Sequence, residues 1–364
     1  MRAYLVYADA LGEGGYPRDI RWLAAGLRGQ GARVRVVVEM EQRRRGDLED
    51  LEARIEIAGF RELRLGQQDV VHVFGLFLPR HWPVLVQASR VPFVLSPMGH
   101  LMPHHLERRR LKKRIALAAL KPLLVGVPWW HAFAEPEERA IRAVVGEHVN
   151  VFRAGLGVFP AANWEGSACD RPVEGGDGLR LLFFGRNDVF QKGIDILLRG
   201  YAAAVREGAC VTLTIAGQPW SDSEVILARL VRELGVEGTV RLVGPVSEAR
   251  RDELFRSHHY LVFLSRWDGP PRPIREAIAR GLPVIVSPET NMAEDVLRCD
   301  AGLVARLDPA DVARAIGEAA RLGSAWARHR KGAERLREEL SWDNVARRYL
   351  DGYERVLSWR TARR

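Results

Sequence analysis

The sequence is short of cysteine: Cys169, Cys210 and Cys299 are the three in 364 residues, and no Cys-x-x-Cys pair occurs. Three scattered thiols cannot build a disulfide framework, so a reducing cytoplasm is the expected compartment. Lysine is equally scarce, five of 55 basic residues. That bias, beside so much Ala, Gly and Leu, points to coding composition before phosphate-binding design. Long apolar runs are missing too. The longest, Ile115 to Trp130, is broken by Lys121-Pro122 and falls short of the roughly 20 residues that span a bilayer. The stretch Met1 to Asp9 meets an acid too early for a secretory apolar region. Asp-x-Asp, His-Glu-x-x-His and Gly-x-Ser-x-Gly do not occur, so metal-bridged diphosphate chemistry and hydrolase elbows lose support.

What is present is an ordinary globular composition, 47% hydrophobic and 28% charged, at a length that suits two domains. The net charge is +9. Most of it sits between His104 and Lys121, where Arg108, Arg109, Arg110, Lys112, Lys113, Arg114 and Lys121 face a single acid, Glu107. A general nucleic-acid binder would spread its cations over a broad phosphate-facing surface, so no nucleic-acid partner is expected.

Short apolar runs alternate with amphipathic helical stretches. Tyr4–Val6, Val34–Val38, Val70–Phe74 and Val91–Leu95 read as strands. After the first comes a glycine loop, Gly12 to Gly15, then a helix from about Pro17 to Gln30 with Ile20, Leu23, Ala24 and Leu27 on one face. Asn163 to Gly178 is polar, glycine-rich and without apolar period, and reads as a linker. The alternation then restarts with strands Leu179–Phe184, Val211–Ala216, Val240–Val243, Tyr260–Leu264 and Pro283–Ser287, and helices Ile194–Val205, Ser223–Leu234 and Ile274–Arg280. Strands separated by helices imply two doubly wound α/β domains with parallel sheets, whose ligands bind at the carboxyl ends of the strands. The expected boundaries are 1–165 and 179–343, with 166–178 between.

Three strand-to-helix loops carry the chemistry-bearing residues. Gly12-Glu13-Gly14-Gly15 departs from a dinucleotide fingerprint, because Pro17 stands where the third glycine would fall. It suits either an anion at the following helix start or a plain flexible turn. Gly185 to Gly193 brings Arg186 and Lys192 to a helix N-terminus, where positive charge is disfavoured by about 0.3–1 kcal/mol. A bound diphosphate would repair that cost; Asp188 would do so in an ordinary turn. Ser265 to Pro273 places Asp268 before a helix whose first turn holds Glu276. Dipole capping alone explains two acids there, and so does a carboxylate accepting hydrogen bonds from a sugar diol.

Taken together, Gly185-Arg186, Gln191-Lys192-Gly193, Asp268 with Glu276 eight positions on, Ala277 to Ile285, and Ser341 to Ala346 resemble the donor site of GT4-type retaining glycosyltransferases (glycosyltransferase group 1). Gly14-Gly15 and Asp69 to Val73 agree in the first half, so the resemblance covers nearly the whole chain. It implies a GT-B fold, two Rossmann-like domains facing a central cleft, with a closing helix within 344–364 returning to the first domain. It implies transfer of a sugar from a UDP- or GDP-sugar to an acceptor hydroxyl with retained configuration, by front-face departure and with no metal or other cofactor. Arg186 and Lys192 would stabilise the leaving diphosphate, Glu276 would hold the ribose, and Asp268 would contact the transferred sugar. Gly14, Gly15, Gly185, Gly217, Val243, Arg272, Pro273 and Ile274 would line the donor. Met98 and His100 would face an acceptor, a glycan, lipid-linked or free, in bacterial glycan or exopolysaccharide assembly.

Some motifs depart from the family pattern. The phosphate loop reads Gly269-Pro270-Pro271-Arg272-Pro273, where prolines remove amide donors. A histidine usual in the acceptor loop falls near Met98, leaving His100 as a displaced substitute or an ordinary surface residue. The basic stretch 104–121 alternates with Leu106, Leu111, Ile115, Leu117 and Leu120. It suits an anionic membrane surface, at about 1 kcal/mol per cation, or a solvated helix over the core. His81, His131, His258, His259 and the Trp129-Trp130 pair read as packing or surface residues. A natural-product glycosyltransferase, a sugar-nucleotide epimerase and a catalytically silent subunit are the rival functions.

Overall fold

The computed structural model describes residues 1–7, 10, 15–38, 56–59, 66, 68–77, 81, 91–107, 110–159, 178–321 and 323–361. Gly14, Arg108, Arg109 and all but Gly178 of the expected linker lie outside them. In chain order the elements are β1 (Arg2–Val6), α1 (Gly15–Gly29), β2 (Arg33–Val38), β3 (Glu56–Gly59), β4 (Asp69–Phe74), β5 (Phe93–Ser96), α2 (Pro103–Glu107), α3 (Arg110–Val125), β6 (Trp129–Ala132), α4 (Glu135–Val145) and β7 (Asn150–Arg153). There follow β8 (Leu179–Phe184), α5 (Ile194–Arg206), β9 (Val211–Ala216), α6 (Ser223–Glu233), β10 (Val240–Val243), α7 (Glu248–Ser257), β11 (Tyr260–Phe263), α8 (Arg272–Ala279), β12 (Val284–Val286), α9 (Ala293–Arg298), β13 (Gly302–Val304), α10 (Pro309–Arg321), α11 (Gly323–Glu339) and α12 (Trp342–Thr361).

Two compact units result: Met1–Gly157 with Leu340–Arg364, and Val158–Glu339. The first holds a sheet in the order β3-β2-β1-β4-β5-β6-β7, the second a sheet in the order β10-β9-β8-β11-β12-β13. Every pairing is parallel. Parallel strands are covered on both faces, which is why Asp69–Phe74 is buried throughout and reads as a near-continuous apolar run. In each sheet the strand order reverses beside its first strand, between β1 and β4 and between β8 and β11. Loops leaving those strands diverge and open a crevice at their carboxyl ends.

Four strands escape the sequence pattern: β3, β6, β7 and β13. Trp129 and Trp130 are part of β6. The stretch from His104 to Lys121 is divided between α2 and α3, and α3 runs through Lys121-Pro122 to Val125. Burial of Leu120 and Leu124 in the core of the first unit overrides the local proline signal, and Leu117 packs on the same core.

In the first unit α12 packs against α1, β4 and β7. Gly26 permits this: a Cβ there would lie 2.9 Å from the Trp342 carbonyl oxygen. Beneath α12 runs a buried chain of four side chains, whose direction follows from its last acceptor. His131 Nε2 is 2.8 Å from the Ala154 carbonyl, which can only accept, so this nitrogen carries the proton. His131 Nδ1 then accepts from the Ser96 hydroxyl. Ser96 Oγ in turn accepts from His72 Nε2 at 2.8 Å, and His72 Nδ1 accepts from the Tyr353 hydroxyl at 2.8 Å. The chain ties α12 to β4, β5, β6 and the segment after β7 with neutral groups only.

A second proton on either ring has no acceptor. Burial holds His72 well below its ordinary value of 6.5, with His131 adding to the effect. Burial lowers His131 to about 3, against the pull of the Ala154 carbonyl. The unfolded chain therefore takes up protons below pH 6.5 that the folded chain refuses. Stability should be level above about 6.5 and fall as pH drops, by about 1.4 kcal/mol per pH unit for each such ring. Urea unfolding at pH 7, 6 and 5 should reveal the slope, and His131→Gln should reduce it. An unchanged slope in that variant would refute the assignment.

Candidate functional site

The residues singled out in the second half converge at the reversal point of the second sheet. The loop 185–193 leaves β8, the loop 264–271 leaves β11, and these strands are neighbours. Lys192 Nζ lies 2.5 Å from Asp268 Oδ2. The pair is largely buried, with the ammonium 5.4 Å from the centroid of the Phe263 ring.

Several contacts hold the two loops together. The Gln191 carbonyl accepts from the Arg266 amide at 2.8 Å and from the Ser265 hydroxyl at 3.0 Å. Arg266 grips Asp195, in the first turn of α5, through both nitrogens at 2.8 and 2.7 Å, and stacks on Phe190. Gly193 has φ +61, and a Cβ there would stand 1.9 Å from the Leu264 carbonyl oxygen, so only glycine lets the loops approach this closely. Gly217, after β9, is similar: at φ +140 its Cβ would lie 1.7 Å from the Gly185 carbonyl oxygen.

Asp188 does not neutralise Lys192. Its Oδ1 accepts from the Gln191 amide at 3.0 Å and closes the turn, while Oδ2 is 3.9 Å from Arg186. Arg186 is half-exposed, lies 4.2 Å over the Trp220 ring, and donates to Gln191 Oε1 at 2.9 Å. Its guanidinium thus lies over an indole in the same loop as the buried ammonium, and a planar fork of this kind suits a charged, multidentate oxyanion.

Glu276 on α8 is buried but does not cap its helix. Its Oε1 is 2.8 Å from Arg272 Nε and 3.8 Å from Arg251 on α7. Arg272 is therefore engaged with a carboxylate through Nε. Pro273 and Ile274 sit in the first turn of α8, where a Cβ on Gly185 would meet Pro273 at 3.5 Å; Ile274 is fully buried. The Val243 carbonyl receives the Gly217 amide at 3.3 Å.

The structure adds residues that spacing did not single out. Asn187 is buried, donates to the Gly217 carbonyl at 3.5 Å, and its Oδ1 has no partner. Asn291, at φ +57, donates to the Asp268 carbonyl; its Oδ1 is likewise unpartnered, as is Glu289 Oε2. The glycine-bounded loops were a signal for Asn187. Arg251 carried none, because α7 has little apolar period.

Gly15, Met98 and His100 belong to the first unit. Gly15 opens α1, and a Cβ there would meet nothing within 4 Å. Met98 and Gly99 both have positive φ, +56 and +76. Glu137 holds this turn, its two carboxylate oxygens taking the Gly99 amide at 2.5 Å and the Phe133 amide at 2.8 Å. Burial pushes Glu137 up to about 7, against the lowering effect of those two amides. The Leu76 amide donates to His100 Nδ1 at 3.2 Å. Among the described residues no group of three or more His, Cys, Asp or Glu is placed to hold a metal ion, and no helix is long and apolar enough to cross a membrane.

Residues 178–321 match the model of the family described as Glycosyl transferases group 1. A curated relative, the MMP alpha-(1->4)-mannosyltransferase of Mycolicibacterium hassiacum, is 26% identical over 300 residues, 75% of this chain and 68% of its own. Among solved structures, a sucrose-phosphate synthase from Thermosynechococcus elongatus superposes with TM-score 0.70 at 17% identity, over 98% of this chain and 99% of its own. The Anabaena protein HepE, in complex with UDP and glucose, gives TM-score 0.69 at 16% identity over 97% and 99%. WaaG, a glycosyltransferase involved in lipopolysaccharide biosynthesis, gives 0.62 at 15% over 96% and 99%. These structural likenesses establish the GT-B fold, and the match to Glycosyl transferases group 1 covers most of the unit that carries Lys192, Asp268 and Glu276.

Proposed function

We propose that the chain moves a hexosyl group from a UDP- or GDP-sugar to a hydroxyl of a bacterial glycan, with retention of configuration and without a metal. The observation that carries this reading is the buried Lys192–Asp268 pair at the reversal point of the second sheet, with Arg186 beside it. Relatives of similar fold support the substrate class. HepE has been solved with UDP-glucose, WaaG serves lipopolysaccharide biosynthesis, and the curated relative is a mannosyltransferase.

In this reading the diphosphate takes Lys192 from Asp268. The ammonium and the Arg186 fork then meet the negative charge that grows on the departing oxygen, supplying the electrostatic role a metal plays elsewhere. Asp268, released from its partner, accepts from hydroxyls of the sugar. Glu276 accepts from the ribose diol, with Arg272 and Arg251 beside it. The bond from the anomeric carbon to the diphosphate breaks, the acceptor oxygen bonds to the same face, and its proton passes to the departing diphosphate.

In the stretch 104–121, Leu117 and Leu120 turn into the core of the first unit, and Lys112, Ile115 and Lys121 are among the exposed side chains that a peripheral membrane site would use.

Removing Lys192 should cost about 10²–10³ in kcat/KM, the loss typical of a preorganised charge at a leaving group. Lys192→Ala assayed with labelled UDP- and GDP-sugars would check this, with thermal unfolding to confirm that the variant folds; near wild-type turnover would sink the donor assignment. Transfer should also proceed unchanged in EDTA and give a product of the donor's anomeric configuration by NMR. Strict metal dependence, or inversion, would contradict the mechanism.

A further inference from the structure

The turn that leaves β12 grips the main chain of Asp268. β12 lies beside β11, with Val286 paired to Phe263, so the residues leaving the two strands run together. Ser287 Oγ donates to the Ser265 carbonyl at 2.8 Å, and Thr290 Oγ1 folds back on the Ser287 carbonyl at 2.8 Å. Ser287 and Thr290 are fully buried. Pro288–Thr290 forms one 3₁₀ turn, which Asn291 ends at φ +57. On this base the Glu289 carbonyl accepts from the Asp268 amide at 3.3 Å, and Asn291 Nδ2 donates to the Asp268 carbonyl. Both main-chain groups of Asp268 are thus held by residues two positions apart.

The left-handed conformation at 291 accepts glycine, asparagine or aspartate, and glycine with least strain. The asparagine side chain therefore has a use beyond the turn. One arm makes the bond to Asp268. Because that partner is a carbonyl, which only accepts, the amide nitrogen faces it and Oδ1 is the remaining arm. Asn291 is 8% exposed, and among the described residues its Oδ1 has no partner. Glu289 Oε2, on the same turn, is buried and has none either. A buried acceptor without a donor is costly and rare, and two on the turn that grips Asp268 call for donors from outside the chain. Sugar hydroxyls are such donors, whereas phosphate oxygens are further acceptors.

We infer that this turn selects the transferred sugar. Asn291 positions Asp268 through its carbonyl, and Asn291 Oδ1 and Glu289 Oε2 join the Asp268 carboxylate as acceptors for hydroxyls of the hexose. The assignment rests on the glycosyl-transfer reading and narrows the donor class to a neutral hexose with its hydroxyls intact. A deoxy sugar would leave a buried acceptor unpaired, and a uronate would bring a carboxylate against acceptors.

Hydrolysis of the donor by the full chain, with water taking the sugar, tests this without the natural acceptor. UDP-glucose, UDP-galactose and GDP-mannose identify the hexose used; its monodeoxy analogues and its uronate are then the probes. The wild type is expected to favour the intact hexose over the uronate and over at least one deoxy analogue by about tenfold or more in kcat/KM. Asn291→Gly keeps the left-handed turn and should remove most of that preference. Glu289→Gln, nearly identical in shape, should narrow it as well. Calorimetry with free UDP or GDP confirms that the donor unit of each variant still folds. A preference that both variants retain, with all donors slowed in common, would make the turn purely structural and overturn the assignment. A wild type indifferent to every missing hydroxyl would overturn it too, while leaving glycosyl transfer intact. If the wild type neither bound nor cleaved any of the three nucleotide sugars, the glycosyl-transfer reading itself would fall, and this assignment with it.

Discussion

The loops at the carboxyl ends of β8 and β11 depend on one contact, the ammonium of Lys192 against the carboxylate of Asp268. Neither group is comfortable where it stands. A largely buried cation or anion is costly without its partner, and breaking such a pair from one side typically costs about 3–5 kcal/mol. The surrounding structure exists to make the contact possible. Two glycines with positive φ let backbone meet backbone, and the Gln191 carbonyl draws the two loops together. The bidentate Arg266–Asp195 grip fixes the start of the following helix. A pair held this firmly by its loops is the preorganised charge that the proposed function requires.

The first unit solves its burial problem by the opposite means. The polar groups beneath its returning helix are neutral, and each proton in the chain from Tyr353 to the Ala154 carbonyl has one donor and one acceptor. Such a network fixes the returning helix α12 on the sheet without any desolvated charge. Buried charged groups of this unit lie away from that network, with Asp19 and Arg21 on α1, Asp69 at the start of β4, and Glu137 anchoring the Met98-Gly99 turn.

Much of this was legible before the coordinates. Central parallel strands announce themselves as apolar runs, and α1 through its 3–4 spacing, because burial there follows directly from composition. Strands nearer the sheet edges were less visible. Trp129 and Trp130 lie in a stretch where aromatics suit a core helix as well as a strand, and pairing with Val94 and Leu95 on one side and Asn150 and Val151 on the other decides between them. Lys192 and Asp268 were each visible as residues of suspicious loops. Their partnership across 76 positions was not, since Asp188 was the nearer acid and the sheet order alone brings β8 beside β11. Arg251 reaches Glu276 from a helix of weak period, a contact no local pattern could signal.

The proline-rich turn before α8 shows how these constraints combine. Pro270 and Pro271 withdraw two amide donors from the helix start where an anion would otherwise find them. Arg272 Nε instead lies 2.8 Å from Glu276. Were Arg272 to swing toward a phosphate, Glu276 would keep only the longer contact to Arg251 at 3.8 Å, and a buried carboxylate would lose its main partner. Under the proposed function, the arrangement that keeps Arg272 Nε on Glu276 leaves the diphosphate to Lys192, Arg186 and the terminal nitrogens of Arg272.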